Sequence, residues 1–520
     1  MFTNKLQTPN KKEYIFVDNY DTLKIPNFKK GIREMKKIIA TILTLAMMLS
    51  LAIVATTSAS AQSEPWDGMT FSETFSSGTG TEADPYIIMN GNDLNKLSVD
   101  VTGGILYAGE YFKLGDDINL GGWDWISIGT DDTTPFSGNL DGNGKTIFNF
   151  SAASNSAGLF GYMEGGSVKN LKIDYATIRN NKYSKAGALA GRTKNVTVEN
   201  IEIGENVIVG NTPLSSTAQI GGVIGFCIDN SIVKNVIFRG QLDIQFGKKT
   251  SYIGAIIGLM GGESELDGAI NYGKLTYKYV DPDPTVVDAT FIAGIVGGVG
   301  NDALTGKIKN CVNYGAIESV SYASGVLGRV LAPNGFLLEN CFNLSDSITS
   351  ADNQLGLIIG YAAKSGTVTN CATLNVGDAP FCSGTKDGVT FGDNPDGMRF
   401  ISSADEVSFD PAFAKIIESV PAAMPQWNTV TPDNYEAPEV TETEGTDPEV
   451  TEPEDSNPAE GTEPEGTEPE AKPTDPVQTP STDAPGTEKP AEGGCGSVVA
   501  GGLAILAVVA LAGVALKKRD

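Results

Sequence analysis

Residues 158–173 read GLFGYMEGGSVKNLKI, and both halves of that stretch return down the chain. The first mark, a short apolar run between glycines, begins at Gly158, Gly187, Gly222, Gly254, Gly294, Gly325 and Gly356, at intervals of 29, 35, 32, 40, 31 and 31 residues. The second mark begins at 168 as VKNLKI and returns as VENIEI at 198, VKNVIF at 233, LDGAIN at 266, IKNCVN at 308, LENCFN at 338 and VTNCAT at 368. Two marks drifting together through seven copies identify a solenoid, in which each unit is stable only when stacked on its neighbours.

The units are short, β-branched and punctuated by glycine and asparagine, and none carries a 3.6-residue stripe long enough for a helix. In VKNLKI a straight strand would place Val168 and Leu171 on opposite faces, because side chains alternate. A corner at Asn170 in the left-handed region lets apolar residues on both sides point inward. Asparagine and glycine tolerate that region best. The corner positions are therefore Asn170, Asn200, Asn235, Gly268, Asn310, Asn340 and Asn370. Stacked coils of such strands form parallel sheets at about 4.8 Å spacing, with the apolar residues laddered inside. Cys311, Cys341 and Cys371 each follow a corner asparagine at 30-residue spacing and read as buried free thiols acting as small hydrophobes.

These units resemble the GLUG-motif repeats of bacterial surface proteins, and Gly158-Leu159-Phe160-Gly161 matches the motif most closely. The similarity extends over roughly 80–400, is clearest at 158–371, and takes in the upstream run YFKLGDDINLGGWDWISIGT and PFSGNLDGNGKTI. It implies an all-β fold, a right-handed parallel β-helix solenoid of the pectate-lyase-like type. Such folds host lyases, hydrolases and adhesins alike, so function does not follow from the fold. Open solenoid ends need covers. Residues 66–100 suit the first, and 399–420, a short amphipathic helix around Phe413, Ile416 and Ile417, suit the second.

The flanks give the address. Residues 35–61 have the grammar of a signal peptide: lysines, an apolar run from Ile38 to Val54, and Ala59-Ser60-Ala61 before the expected cleavage. Residues 1–34 are then a non-mature upstream segment, and 62–430 the β-helix with its caps. Residues 431–493 hold 19 acidic residues and two lysines among Thr, Pro and Gly, which predicts a disordered acidic stalk. In 494–520, the apolar run Val498–Leu516 would span about 28 Å as a helix and is followed by Lys517-Lys518-Arg519-Asp520. The basic tail predicts a membrane anchor with the tail inside and the β-helix displayed on the cell surface. Both apolar terminal segments are expected to be helical.

Composition narrows the chemistry. The 520 residues carry a formal charge of −27 and no histidine, which excludes Ser-His-Asp and Cys-His nucleophile systems and argues against nucleic-acid partners. No catalytic or cofactor-binding residues are assigned. Asp116, Asp117, Asp131 and Asp132, with Asp124 nearby, form the densest acidic group. They are weak candidates for calcium, and no other cofactor is expected; solvated turns, for which Asp is an ordinary residue, are the preferred account of them. Arg192 and Arg329 follow equivalent repeat glycines, while Arg179 and Arg239 lie just beyond corner strands. Trp123, Trp125, Tyr272, Tyr314 and Tyr322 could stack on sugars or protein partners. The expected function is a non-catalytic, surface-anchored β-helix for adhesion, or for binding an extracellular polysaccharide or host protein. The alternatives are a calcium-dependent polysaccharide lyase or carboxylate glycosidase, and a structural surface-layer component.

Overall fold

The computed structural model describes residues 63–432, apart from 212–216, 247–249, 280–288, 301–305, 333–334, 352–353 and 391–396. These residues belong to one compact unit. The signal-peptide, stalk and anchor segments lie outside the described residues. Among those described, no helix is long and apolar enough to cross a membrane.

The fold is an all-β parallel solenoid. One coil shows its construction: Tyr252–Gly254 leads into Ile257–Met260, then Glu265–Asn271, then Lys274–Tyr279, and the chain begins the next winding. Strands in successive coils pair in parallel, giving a 23-stranded sheet and an 8-stranded sheet among the described residues. The bend inside the long strand falls at the asparagine. Asn170, Asn200, Asn235, Asn310, Asn340 and Asn370 have φ between 50° and 56°, and Gly268 has φ 86°. Two residues before each corner, Val168, Val198, Val233, Leu266, Ile308 and Leu338 stand in register; one residue after it, Leu171, Ile201, Val236, Ala269, Cys311 and Cys341 do the same. Val168, Leu171 and Ile173 are completely buried.

The corner asparagines are also joined to one another. Asn200 Nδ2 donates to Asn170 Oδ1 at 2.9 Å, Asn235 to Asn200 at 3.1 Å, Asn340 to Asn310 at 2.9 Å and Asn370 to Asn340 at 3.0 Å. Gly268 interrupts this ladder. A Cβ there would lie 3.0 Å from Asn235 Oδ1 and 3.2 Å from Val420 Cγ2, so a packed helix takes the space a side chain would need. A second, interior ladder starts three residues beyond the corner. That position is Ile173, Ile203 and Phe238 in early coils, then Asn271, Asn313, Asn343 and Thr373. Asn271 Nδ2 donates to Asn313 Oδ1 at 2.7 Å, Asn313 to Asn343 at 2.9 Å, and Asn343 to Thr373 Oγ1 at 2.9 Å. Each buried amide thereby exchanges hydrogen bonds with the coils beside it, as polar groups in a dry interior must.

Immediately before each corner, charge alternates from coil to coil. Lys113, Asp141, Lys169, Glu199, Lys234, Asp267, Lys309 and Glu339 pair in register as one column. Opposite charges directly across strands are favourable and like charges unfavourable, so a slip of one coil would oppose like to like all along the column. Alternation also leaves this face without a dominant sign.

Helix α1 (Gly91–Thr102) forms in the region expected to cover the N-terminal end. Its Leu94, Leu97 and Val101 are buried in the solenoid core, and Asn90 Oδ1 caps it by accepting from the Asp93 N–H at 3.1 Å. Helix α2 (Pro411–Ala423) forms in the region expected to close the other end, but its seat is different. It lies along the flank against strands Ile232–Phe238, Glu265–Asn271, Gly306–Asn313 and Phe336–Asn343. Phe413, Ile416 and Val420 bury there against Ile237, Ile270, Val312, Phe342 and Ala372, whereas Ile417 is 41% exposed. Full burial of such side chains contributes about 1.5–3 kcal/mol each. The apolar residues two positions after the corner explain the difference, because an uncovered flank would be expected to keep polar residues there. After α2 the chain reaches the first coils, where Trp427 Nε1 donates to Glu202 Oε2 at 3.2 Å and Asn428 Nδ2 to Asp117 Oδ2 at 2.7 Å.

Candidate functional site

The five aspartates expected to cluster have separate structural roles. Asp116 pairs with Lys145 at 3.7 Å, and its Oδ1 accepts from the Asp117 N–H. Asp117, 4% exposed, accepts from the Thr146 N–H at 2.7 Å as well as from Asn428. Asp124 accepts from Ser151 Oγ. Asp131 closes a turn by accepting from the Thr133 hydroxyl and from the Thr133 and Thr134 N–H groups, and these bonds, the hydroxyl's first, lower its pKa. Asp132 lines a cleft described below. Among the described residues, no three His, Cys, Asp or Glu side chains come together to hold a metal ion. The calcium candidates Asp116, Asp117, Asp131 and Asp132 are therefore not brought into one site. Just after the strand Ile118–Asn119, Gly121 and Gly122 at positive φ turn the chain between the two pairs.

The other sequence candidates are also placed. Trp125 is buried edge-on to Trp66, while Trp123 is half exposed. Tyr272 and Tyr314 stack with ring centroids 5.2 Å apart, and burial pushes the Tyr314 phenol up to about 12. Arg239 lies over Tyr272 and pairs with Glu202 at 3.4 Å. Arg179 is exposed on the long strand Ser167–Ala186. Cys311, Cys341 and Cys371 are free and buried, and desolvation drives the Cys341 and Cys371 thiols well above their usual pKa.

A more organised surface follows the closing glycine of each repeat. The residues after Gly161, Gly191, Gly225, Gly258, Gly297, Gly328 and Gly360 are Tyr162, Arg192, Phe226, Leu259, Gly298, Arg329 and Tyr361, and all seven stand in one register column on the 8-stranded sheet. Tyr252, Phe291 and Tyr322 form a parallel column beside it. Phe291 stacks with Tyr322 at 4.6 Å and with Tyr252 at 6.1 Å. Together with Phe226, Leu259 and Tyr361, these rings make an apolar cluster separate from the solenoid core.

Two arginines are set into this surface. The Arg192 guanidinium lies 5.1 Å from the Tyr162 ring and 5.7 Å from the Phe226 ring, and its Nη1 donates to Tyr162 Oη at 3.1 Å. Arg329 lies 4.8 Å from the Phe291 ring and 6.0 Å from Tyr361, and its Nη1 donates to Tyr252 Oη at 3.4 Å. Neither forms an ion pair with a described carboxylate, and the Nε of each is enclosed without an acceptor. At the Arg192 end a cleft of about 390 Å³ is lined by Asp132, Tyr162, Glu164, Arg192 and Lys194. Lys194 pairs with Glu164 at 2.8 Å, and that carboxylate raises its pKa, keeping the ammonium charged. The cleft thus offers two cations, two carboxylates and a ring face, a combination suited to holding a polar, partly planar ligand.

No family model matches the chain. Halomucin of Haloquadratum walsbyi is 31% identical over 159 residues, covering 28% of this chain and 2% of halomucin. A protein of Evansella cellulosilytica described as a Gly-rich membrane protein is 33% identical over 148 residues, covering 26% of this chain and 16% of that protein. The chain therefore matches only a small part of either relative's length. A solved Bacteroides ovatus structure, described as an immunoglobulin A1 protease, aligns with 19% identity and a TM-score of 0.42, covering 54% of this chain and 80% of that one.

Proposed function

We propose that this chain is a surface-displayed, non-catalytic β-helix whose aromatic and arginine column binds polysaccharide. The observation that carries the reading is the column itself, with rings and guanidinium groups repeated at coil spacing outside the core. Aromatic faces stack on sugar rings, and arginine forks donate to hydroxyl or acid oxygens. The leader, stalk and anchor read from the sequence, the GLUG-like repeats, and the similarity to a relative described as a membrane protein support display at a cell surface. The test is binding of the full-length protein to a panel of neutral and acidic polysaccharides. Tyr162→Ala and Phe226→Ala should each weaken the best binder about two- to tenfold, as ring stacking is worth about 0.5–1.5 kcal/mol. No binding across the panel refutes the reading.

One observation favours a second reading, a carboxylate glycosidase: Asp132 and Glu164 share the cleft with Arg192 and Lys194. Against it, Asp132 is exposed and Glu164 is committed to Lys194, so neither is the desolvated acid that such chemistry requires. Release of reducing or unsaturated ends during the binding assay would shift the assignment to an enzyme.

A further inference from the structure

We propose that Arg192 and Arg329 are two anion subsites for a single extended acidic polysaccharide, a chain carrying carboxylate or sulfate groups. The proposal rests on the glycan-binding reading of the same column and adds the class of glycan. The two arginines occupy equivalent repeat positions four coils apart, linked in register through Phe226, Leu259 and Gly298. At about 4.8 Å per coil they are separated by roughly 19 Å. The positions between them carry no charge: Phe226 is half-buried, Leu259 and Gly298 are buried, and the Tyr252 ring takes the space over Gly298, so along this column the two cations stand with no charged side chain between them.

Each guanidinium is oriented by ring faces and one phenol oxygen rather than by a carboxylate. Its charge is therefore held in place without a direct ion pair to a described carboxylate. At one end Lys194 adds a cation that its ion pair with Glu164 offsets, and Asp132 lines the same cleft, so the guanidinium fork itself has to supply the anion contact there. The whole chain carries −27, so attraction of a polyanion has to come from these local groups. A free acidic group on a stacked sugar fits a forked donor that already has a ring beside it. An extended chain reaching both arginines gains through effective concentration, whereas a fragment shorter than the gap engages one at a time.

The experiment measures binding of the full-length protein to polygalacturonate, its methyl ester, trigalacturonate and poly-glutamate at low and moderate salt. The acid polymer should bind at least tenfold tighter than the ester and at least tenfold tighter than the trimer, with the preference shrinking as salt rises. Arg192→Gln or Arg329→Gln alone should bring polymer affinity down to about that of the trimer. Arg192→Lys, which keeps the charge and the stem, should fall between the unaltered protein and Arg192→Gln, and circular dichroism should show all variants folded. Equal affinity for acid and ester, or for polymer and trimer, overturns the proposal while surviving ester binding leaves the glycan reading intact. Poly-glutamate bound as tightly as polygalacturonate also overturns it, in favour of an acidic protein partner. Loss of all glycan binding removes both.

Discussion

Replacing the corner residue Asn340 by alanine and by glycine separates backbone strain from side-chain bonding. Asn340 has φ 53°, donates to Asn310 Oδ1 at 2.9 Å and accepts from Asn370 Nδ2 at 3.0 Å. Either substitution loses both hydrogen bonds, about 0.5–1.5 kcal/mol apiece. Alanine adds the left-handed penalty of about 1–2 kcal/mol, giving a total of roughly 2–5 kcal/mol. Glycine escapes that penalty but carries about 0.5–1 kcal/mol of extra backbone entropy. Gly should therefore be the milder change by about 0.5–1 kcal/mol. Asn343, three residues on, is a matched control, because it also accepts at 2.9 Å and donates at 2.9 Å but lies in ordinary extended strand. There glycine should be worse than alanine by about 0.5–1 kcal/mol. Equilibrium urea unfolding of the four variants, followed by far-ultraviolet circular dichroism, reads the order directly. The reasoning is refuted if glycine is the worse substitution at both positions.

Other consequences can be measured independently. Phe413→Ala should detach α2, since Phe413 is buried with its ring 5.3 Å from Phe342; the lost packing is about 3–5 kcal/mol, and limited proteolysis should then cut within 405–430 while the coils survive. Glu199→Lys puts a third cation between Lys169 and Lys234 and should lower stability by about 1 kcal/mol at low salt, with the deficit shrinking at high salt. Burial opposes ionisation of Asp410, but hydrogen bonds from Arg399 and from the first turn of α2 outweigh it and lower the folded pKa. The stability it contributes is therefore present above the unfolded value near 3.8 and is lost as pH falls through the lower folded value. Acid release of α2 should lose that component in Asp410→Asn. Cys311, Cys341 and Cys371 should resist thiol reagents in the native protein and react on unfolding, and rapid native labelling of all three would contradict their burial.

The coil was legible because its constraint is local. A left-handed corner between two inward-facing residues admits few side chains, so asparagine and Gly268 betray it without knowledge of the partner strands. The seat of α2 depended on outward residues whose meaning comes only from what covers them. Lys172 and Glu202 occupy that position in early coils, and Ile237, Ile270, Val312 and Phe342 occupy it later, so the signal was present in the sequence as a polar-to-apolar change. The binding column needed long-range register. Tyr162 and Tyr361 are 199 residues apart, and only the shared place after a closing glycine connects them before the coils are stacked. The aspartate group shows the converse, and the turn reading preferred for it agrees with its contacts. Closeness along the chain did not become closeness in space, because each pair was drawn into its own turn and backbone contacts.

The stacking itself is tested most directly by spin-label distances along the charged column, in the full-length chain with Cys382 and Cys495 replaced by serine. Lys169 and Glu339 are five coil steps apart in register, and Glu199 and Glu339 are four. Labels at the first pair should report about 24 Å and at the second about 19 Å, a difference of one coil. Distances that fail to shorten by one coil, or that exceed 40 Å, would contradict the parallel solenoid.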